Sequence, residues 1–377
     1  MKKVYLDYNA TTPLDLRVKQ VIDRFLVNSY GNPSSLHWAG AEARKGIDEA
    51  HSIVAGSFGV SPDEIVFTSG GTESANLAIH GILGNLQKSG HVITSSVEHH
   101  AVLEPLQTLA QIGRIELSHL RVDTKGRLNP DDVVRLIREE TALIAVMYAN
   151  NETGNLFPIE TIGRIARERK IPFFCDGVQV AGKRAINLGR LPVDLFSFSA
   201  HKFYGPKGVG GLYVRKGLKL KPLIEGGAQE MKRRGGTENV AGIIGLAQAL
   251  KVSLEEMERE KARLKRLRDL LEERIRSIPG ACIYGDLENR LENTTFAGFD
   301  RIDSETILIA LDRHGIAASN GAACSSGTLE PSHVLMAMGF SEREAKGAVR
   351  FSVGRFTTEE EIHTVGEKLP EIVSHLR

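Results

Sequence analysis

Residues 193–214 have the sequence VDLFSFSAHKFYGPKGVGGLYV, in which two apolar runs flank a lysine and several glycines. Lys202 therefore falls in a turn between two predicted strands. Burial lowers the pKa of an amine and makes it a nucleophile for carbonyl groups. Ser199 and His201 just before it can hold a phosphate, and the glycines after it let the backbone approach closely. The stretch suits a phosphorylated aldehyde cofactor; alone, it also fits a glycine-rich hairpin with a surface lysine.

Upstream of this stretch, short apolar runs alternate with longer helix-like segments from about residue 60. This alternation is typical of an α/β fold with a mostly parallel sheet and helical crossovers. Each run leads into a polar cluster, and the clusters are 68–74, 95–100, 150–154 and 176–179. Ligands of open α/β sheets bind beyond the carboxyl ends of the strands. These four ends and the one before Lys202 therefore predict a single shared site.

The composition is that of an ordinary globular enzyme. The chain has 377 residues, of which 41% are hydrophobic and 25% charged, and its formal net charge is +1. The length favours two domains. The charge gives no reason to expect nucleic acid or an anionic membrane as a partner. We also expect no secretory signal and no segment that spans a bilayer.

The three cysteines lie in different settings. An odd number in a chain of this size does not suggest a disulfide framework. Cys175 and Cys282 lie in short apolar runs that predict buried strands. Cys324 lies among small residues in a predicted loop. A reducing cytoplasm with one reactive thiol is the simplest interpretation.

The domain boundaries are predicted from a long amphipathic stretch at residues 250–279, which ends at Pro279-Gly280. A coiled coil is the alternative, but one helix joining two domains fits the short length better. We expect a large cofactor-binding domain over residues 13–250. Residues 1–12 and 251–377 would form a small domain, with the loop around Cys324 at about 318–332.

Two clusters supply candidates for binding the cofactor. Residues 69–73, SGGTE, lie between a predicted strand and helix. The backbone N–H groups and dipole of a helix N-terminus bind phosphate, and Thr72 adds a hydroxyl. Asp176 is either a helix cap or the carboxylate that keeps the ring nitrogen of pyridoxal phosphate protonated. Gln179 is placed to reach the phenolic oxygen of the same ring.

Three further residues are candidates for proton transfer and substrate binding. His99 can stack on the cofactor ring and shuttle protons, because histidine titrates near neutral pH. Asn151 and Arg350 suit a substrate carboxylate, since the planar guanidinium binds a carboxylate through two hydrogen bonds. A surface salt bridge is the other interpretation of Arg350.

Eight segments, in order along nearly the whole chain, resemble the cysteine desulfurases of the NifS/IscS type. These are a branch of the class V aminotransferases among the fold-type I enzymes that use pyridoxal phosphate. The matching segments are 7–12 (DYNATT), 31–35 (GNPSS), 98–99 (EH), 150–152 (NNE), 199–202 (SAHK), 234–237 (RGGT), 324–331 (CSSGTLEP) and 350–356 (RFSVGRF). Small-for-small departures from the family pattern occur at Gly71, Ala228 and Gly235.

The resemblance implies a fold and a set of site residues. The fold would be α/β, with a large domain built on a mostly parallel seven-stranded sheet between helices and a smaller α+β domain. The implied catalytic residues are Lys202, Cys324 and His99. The implied cofactor-binding residues are Thr72, His99, Asp176, Gln179, Ser199, His201, Lys202 and Thr237, the last from the neighbouring subunit of a homodimer. Asn151 and Arg350 would bind substrate, and no metal is implied.

The resemblance also implies an activity. Lys202 would carry pyridoxal phosphate covalently, and the enzyme would convert L-cysteine to L-alanine. The sulfur would leave as a Cys324 persulfide for an iron–sulfur scaffold or another acceptor protein in the cytoplasm. Three alternatives stay open at this stage: a selenocysteine lyase, a transaminase with no use for Cys324, and a silent binding or scaffold protein that has kept the fold.

Overall fold

The computed structural model describes residues 3–321 and 330–377, which form thirteen strands and eleven α-helices. The strands are β1 (Val4–Tyr5), β2 (Ile65–Thr68), β3 (Gly90–Ser95), β4 (Ile115–Leu120), β5 (Thr141–Ala145), β6 (Phe173–Asp176), β7 (Leu195–Ser199), β8 (Gly210–Val214), β9 (Ala281–Tyr284), β10 (Thr294–Phe299), β11 (Ile316–Ala317), β12 (Ser319–Asn320) and β13 (Ala348–Ser352). The helices are α1 (Leu16–Val27), α2 (Trp38–Phe58), α3 (Gly71–Leu83), α4 (His100–Gln111), α5 (Asp131–Leu136), α6 (Ile159–Glu168), α7 (Val240–Arg276), α8 (Ser304–Arg313), α9 (His333–Ala337), α10 (Glu342–Lys346) and α11 (Glu359–His375). None of these described helices combines the length and apolar composition needed to cross a bilayer.

The largest sheet has seven strands in the order β2-β8-β7-β6-β5-β3-β4. Six strands run in the same direction, and β8 is antiparallel to both of its neighbours. The predicted mostly parallel seven-stranded sheet is therefore confirmed. The carboxyl ends of β2, β3, β5, β6 and β7 all lie at one edge, where the five polar clusters follow them.

Both faces of this sheet are buried, because alternate residues of each strand enter different hydrophobic clusters. Phe173 and Cys175 of β6 lie in one cluster and Phe174 lies in the other. Residues of α2, α6 and the first half of α7 belong to the first cluster, and residues of α3 and α4 belong to the second. Parallel strands covered on both sides are apolar throughout instead of alternating, which explains their sequence pattern.

A smaller antiparallel sheet has the order β12-β13-β10-β9. It packs with α8, α11 and the second half of α7 around a separate hydrophobic cluster. The N-terminal segment belongs to this cluster through Val4 and Leu6, and β1 pairs with β11. The segment then reaches the large sheet, where the backbone N–H of Thr12 donates to the His201 carbonyl over 2.9 Å. The N-terminus thus connects the two parts of the molecule.

The long helix α7 makes the second connection. Its residues Leu246 and Leu250 lie in the core of the large sheet, whereas Leu267 and Leu271 lie in the cluster of the small sheet. The helix begins ten residues before the amphipathic stretch. The sequence pattern did not reveal these residues, because the first turns of the helix are buried on several sides and show no polar face. A single joining helix is confirmed; the predicted boundaries at residues 12 and 250 stay a prediction.

The two cysteines that lie in the described strands differ from each other. Cys175 is buried in β6 as predicted, but Cys282 is exposed, so the prediction of a buried Cys282 was wrong. The physical reason is that β9 is an edge strand of the small sheet. Its residues Ala281 and Ile283 pack on the hydrophobic cluster, which directs Cys282 to the opposite face.

Candidate active site

A cavity of about 270 Å³ lies at the carboxyl edge of the large sheet. Nine of the eleven predicted site residues line it: Thr72, His99, Asn151, Asp176, Gln179, Ser199, His201, Lys202 and Arg350. They come from sequence positions that are almost 280 residues apart. Chain topology brings them together, because five of the parallel strands end at this edge and β13 approaches it from the small sheet.

Lys202 ends a 3₁₀ turn, Ala200–Lys202, that follows β7 directly. Its Nζ donates to the carbonyl of Asn9 over 2.6 Å and to that of Ala10 over 2.8 Å. Both acceptors belong to the N-terminal segment that crosses from the small sheet. The amine is therefore held at the cavity wall by neutral carbonyl groups.

Three candidate donors for a phosphate line the cavity. Thr72 is in the first turn of α3, where backbone N–H groups and the helix dipole favour an anion. Ser199 and His201 reach the same cavity from the end of β7. Burial, together with the nearby Lys202 and Lys207 charges, lowers the pKa of His201 to about 4. Its imidazole is thus neutral at pH 7 and carries one N–H.

Asp176 ends β6 and is buried, with 8% of its surface exposed. Its Oδ1 accepts hydrogen bonds from the Ser197 hydroxyl over 2.8 Å and the Val178 N–H over 3.0 Å. Among the described residues, the hydrogen bonds to this carboxylate all fall on Oδ1. Its second oxygen is left to accept from a donor within the cavity, such as a protonated ring nitrogen.

His99 caps the N-terminus of α4, where its Nδ1 accepts from the Ala101 N–H over 3.0 Å. Nδ1 is therefore unprotonated, and a neutral His99 carries its proton on Nε2. Burial lowers the pKa of His99, and the Lys202 charge acts in the same direction against the opposing effect of Asp176. The cap thus selects the tautomer, and the surroundings keep the ring neutral.

Arg350 lies in β13 with 2% of its side chain exposed. Its Nη2 is 2.9 Å from Asp7 Oδ1, and its Nη1 donates to the Asn151 carbonyl over 3.1 Å. Its Nε–H is buried and has no hydrogen-bond partner among the described residues. A buried donor without a partner is costly. Arg350 does form a salt bridge, with Asp7, but its side chain is buried, so the interpretation as a surface salt bridge was wrong.

One described site residue, Thr237, does not line this cavity. Thr237 is exposed in the loop before α7. That loop is tied to α3 by Arg234, whose Nε lies 3.0 Å from Glu73 Oε1. Cys324 falls outside the described residues. The nearest described residues on either side that line the cavity are Gly321 and His333.

Sequence reasoning missed several residues that organise the site. Asp7 and Asn9 lie in a quoted motif, but neither had a role; Asn9 is 1% exposed and bonds Asn293 and Thr294 as well as Lys202. Glu152 is buried, and its Oε2 accepts from the Ser332 hydroxyl over 2.5 Å. For Asp7 and Asn9, the available signal was a charged or amide residue in an otherwise apolar or small-residue segment.

The fold and this lysine-centred site define a class of protein, the class-V aminotransferases. The model of the family described as "Aminotransferase class-V" matches residues 4–365. The relatives narrow the class. A cysteine desulfurase IscS from Dictyoglomus turgidum is 47% identical over 100% of this chain and 96% of its own length. The cysteine desulfurase NifS of Azotobacter vinelandii is 46% identical, over 100% of this chain and 94% of its own.

Solved structures agree with the sequence relatives. A structure titled "NIFS-LIKE PROTEIN" superposes with a TM-score of 0.94 at 39% identity, and each chain covers 100% of the other. The structure "SspA in complex with cysteine" has a TM-score of 0.82 at 34% identity, covering 95% of this chain and 100% of its own. The chain therefore belongs to the cysteine desulfurases of the class-V aminotransferase family.

Proposed function

We propose that the protein converts L-cysteine to L-alanine with pyridoxal phosphate and passes the sulfur, as a Cys324 persulfide, to an acceptor protein for iron–sulfur cluster assembly. One observation supports this most directly. A lysine amine, a buried carboxylate whose hydrogen bonds among the described residues fall on one oxygen, and a buried arginine line one cavity. Family membership supports the cysteine chemistry.

The residues of the cavity fit pyridoxal phosphate. The uncommitted Asp176 oxygen matches a protonated ring nitrogen, and Lys202 offers the amine that would carry the cofactor covalently. Thr72, Ser199 and the neutral His201 would hold the phosphate beside the N-terminus of α3. When bound, the cofactor supplies an electron-withdrawing ring that stabilises negative charge at the substrate α-carbon.

Side chains of the cavity would bind the substrate and transfer its protons. Arg350 and Asn151 would bind the substrate carboxylate, because both line the cavity and the guanidinium supplies positive charge. Lys202 Nζ takes the α-proton of the substrate. His99 lines the same cavity and would supply a proton from Nε2, because the cap of α4 keeps Nδ1 occupied.

Sulfur transfer would occur at Cys324. Its thiolate attacks the substrate sulfur, so that a sulfur–sulfur bond forms as the carbon–sulfur bond breaks. The electron pair of the broken bond stays on the substrate β-carbon, which gains a proton. Lys202 returns the proton that it took from the α-carbon, and L-alanine leaves. The Cys324 persulfide keeps the sulfur for the acceptor. The reducing cytoplasm is the compartment in which such a thiol persists.

We further propose a homodimer in which Thr237 completes the phosphate site of the partner. Thr237 is exposed and does not line the cavity of its own chain. Large apolar side chains at the start of α2 are also exposed, with Leu36 at 104% and Trp38 at 72%. Exposed apolar groups of this size mark protein–protein contacts.

The test is to incubate purified protein carrying pyridoxal phosphate with L-cysteine, to measure alanine, and to weigh the peptide that contains Cys324. We expect alanine together with the added mass of one sulfur atom on Cys324. Lys202→Ala should form neither product. Alanine without added mass on Cys324 would overturn the sulfur-transfer mechanism.

The same assay separates the rival activities. Transfer of the amino group to an added keto acid, with no persulfide on Cys324, would indicate a transaminase. A selenocysteine lyase would keep its turnover of selenocysteine after Cys324→Ala, whereas a desulfurase would stop releasing sulfide from cysteine. The relatives reported above are named cysteine desulfurases, which favours neither rival.

A further inference from the structure

A second lysine, Lys183, lies directly behind the active-site cavity. It lines a separate cavity of about 50 Å³ between the two parts of the molecule, together with Glu292 and Lys261. Its Nζ donates to Gln179 Oε1 over 3.1 Å. In the described part of the chain no carboxylate lies within 4.0 Å of this amine. Glu292, which lines the same small cavity, is paired with Arg184 at 2.8 Å.

A charged amine in this position lowers the stability of the folded protein. Burial, together with the charges of Lys202 and Arg350, lowers the pKa of Lys183 to about 7 against the weaker attraction of Glu292. A buried cation without a counter-ion destabilises a fold unless it makes hydrogen bonds. The bond to Gln179 is therefore the interaction that explains a lysine here.

Gln179 connects this amine to the catalytic lysine. The Gln179 Nε2 donates to the Asn9 carbonyl over 3.1 Å, and the same carbonyl accepts from Lys202 Nζ over 2.6 Å. The hydrogen bonds to Lys183 and to the Asn9 carbonyl both require the same orientation of the amide, with Oε1 toward Lys183 and Nε2 toward Asn9. A flipped amide would place Oε1 against the Asn9 carbonyl and its NH₂ group against the Lys183 amine. Either protonation state of Lys183 keeps an N–H for Oε1.

The orientation matters because Gln179 lines the active-site cavity and Lys183 does not. Nε2 carries two hydrogens, of which one is taken by the Asn9 carbonyl. The second is free to donate to an oxygen of a molecule in the cavity. With the amide reversed, the cavity would face a carbonyl acceptor, which repels an anionic oxygen.

We propose that Lys183 is a positioning residue of the active site. It holds the Gln179 side chain in the orientation in which the amide donates an N–H to the phenolic oxygen of the cofactor. This inference rests on the proposed function, because it concerns the same site. Lys183 acts through Gln179, so its effect on cofactor binding disappears when Gln179 has no amide. A residue that only supports the fold would not show that dependence.

The experiment is a double-mutant cycle on binding of pyridoxal phosphate to the apoprotein. The variants are Lys183→Met, Gln179→Leu and their combination, with the dissociation constant and the absorption spectrum of the bound cofactor as readouts. We expect Lys183→Met to weaken binding about tenfold, the effect of losing a hydrogen bond to a charged group. In the Gln179→Leu background, Lys183→Met should change the dissociation constant less than about twofold.

Lys261→Met is the matched control, because Lys261 lines the same small cavity without a hydrogen bond to Gln179 among the described residues. It should leave both readouts unchanged. Lys183→Gln keeps an N–H donor on a shorter side chain. It replaces Lys183→Met in the double-mutant cycle if the methionine variant does not fold. We expect it to bind the cofactor more tightly than Lys183→Met.

The outcomes separate the two proposals. Unchanged binding in Lys183→Met and Lys183→Gln, or an equal loss with and without the Gln179 amide, overturns the positioning role and leaves the proposed function intact. Wild-type protein that binds the cofactor but forms no alanine from L-cysteine overturns the proposed function alone. Wild-type protein that binds no pyridoxal phosphate overturns both.

Discussion

At the scale of single residues, Glu98 is a buried carboxyl group beside the active-site cavity. It is fully buried next to His99, and its Oε1 accepts from the Ser95 hydroxyl over 2.6 Å and the Met147 N–H over 3.0 Å. Its Oε2 has no partner among the described residues. Burial raises the pKa of Glu98 to about 8, with a further contribution from Asp176. Glu98 is thus a neutral acid at pH 7.

The first prediction concerns Glu98→Gln, which keeps the acceptor oxygen and removes the titration. An unfolded glutamate titrates near pH 4.3. Between that pH and about 8, the folded wild type binds more protons than the unfolded chain, so its stability falls as the pH rises. We expect the urea midpoint of the variant, relative to wild type, to increase from pH 5 to pH 8.5.

The control for this experiment is Glu49→Gln, a change at an exposed glutamate of α2. Its urea midpoint should follow that of the wild type at both pH values. A constant difference between Glu98→Gln and wild type across the range would show that Glu98 is ionised in the folded protein at neutral pH.

At the scale of elements, α7 is fastened to the small sheet by a buried ion pair. Arg290 Nη1 lies 2.6 Å from Glu272 Oε1, and the two side chains are 3% and 2% exposed. The Thr295 hydroxyl of β10 donates to the same oxygen over 3.0 Å. The pair therefore joins the long helix, the segment before β10 and β10 itself, at the point where α7 enters the small-sheet core.

We predict that Glu272→Ala destabilises the protein by about 3–5 kcal/mol, because it leaves the Arg290 guanidinium buried without a counter-charge. Glu272→Leu combined with Arg290→Met should recover much of this loss, since apolar residues remove both charges. Urea unfolding measures both, with the exposed Glu258→Ala of α7 as the control. A loss in Glu272→Ala no larger than in the control would contradict the role of the pair.

At the scale of the whole molecule, the proposed homodimer makes a prediction about mixed subunits. In a dimer of Lys202→Ala with Thr237→Glu, one site has both changes and the other has neither. The glutamate places negative charge beside the phosphate, so each variant alone should be inactive. Subunits mixed equally and reassociated should recover about one quarter of wild-type activity, because half of the dimers are mixed and each has one intact site.

The matched control mixes Lys202→Ala with the Lys202→Ala/Thr237→Glu double variant, in which no dimer has an intact lysine. Alanine formation measures each mixture. No recovery in the first mixture would show that Thr237 serves the cavity of its own chain.

The sequence by itself determined the sheet and most of the site, because the signals are local. Apolar runs followed at once by polar clusters predict buried strands that end in functional residues, and parallel strands bring those ends together. Lys202, Asp176 and His99 were identified in this way and lie in one cavity. The family motifs added Thr237 and Cys324, whose placement in a site stays a prediction.

The tertiary structure alone decided the contacts between distant parts of the chain. The Asn9 carbonyl meets Lys202 and Gln179 only because the N-terminal segment crosses from the small sheet to the large one. The pairing of Arg350 with Asp7 joins positions 343 residues apart. The burial of Lys183 also depends on how the two parts pack. Local sequence patterns carry no information about such packing, since each contact is determined by the return path of the whole chain.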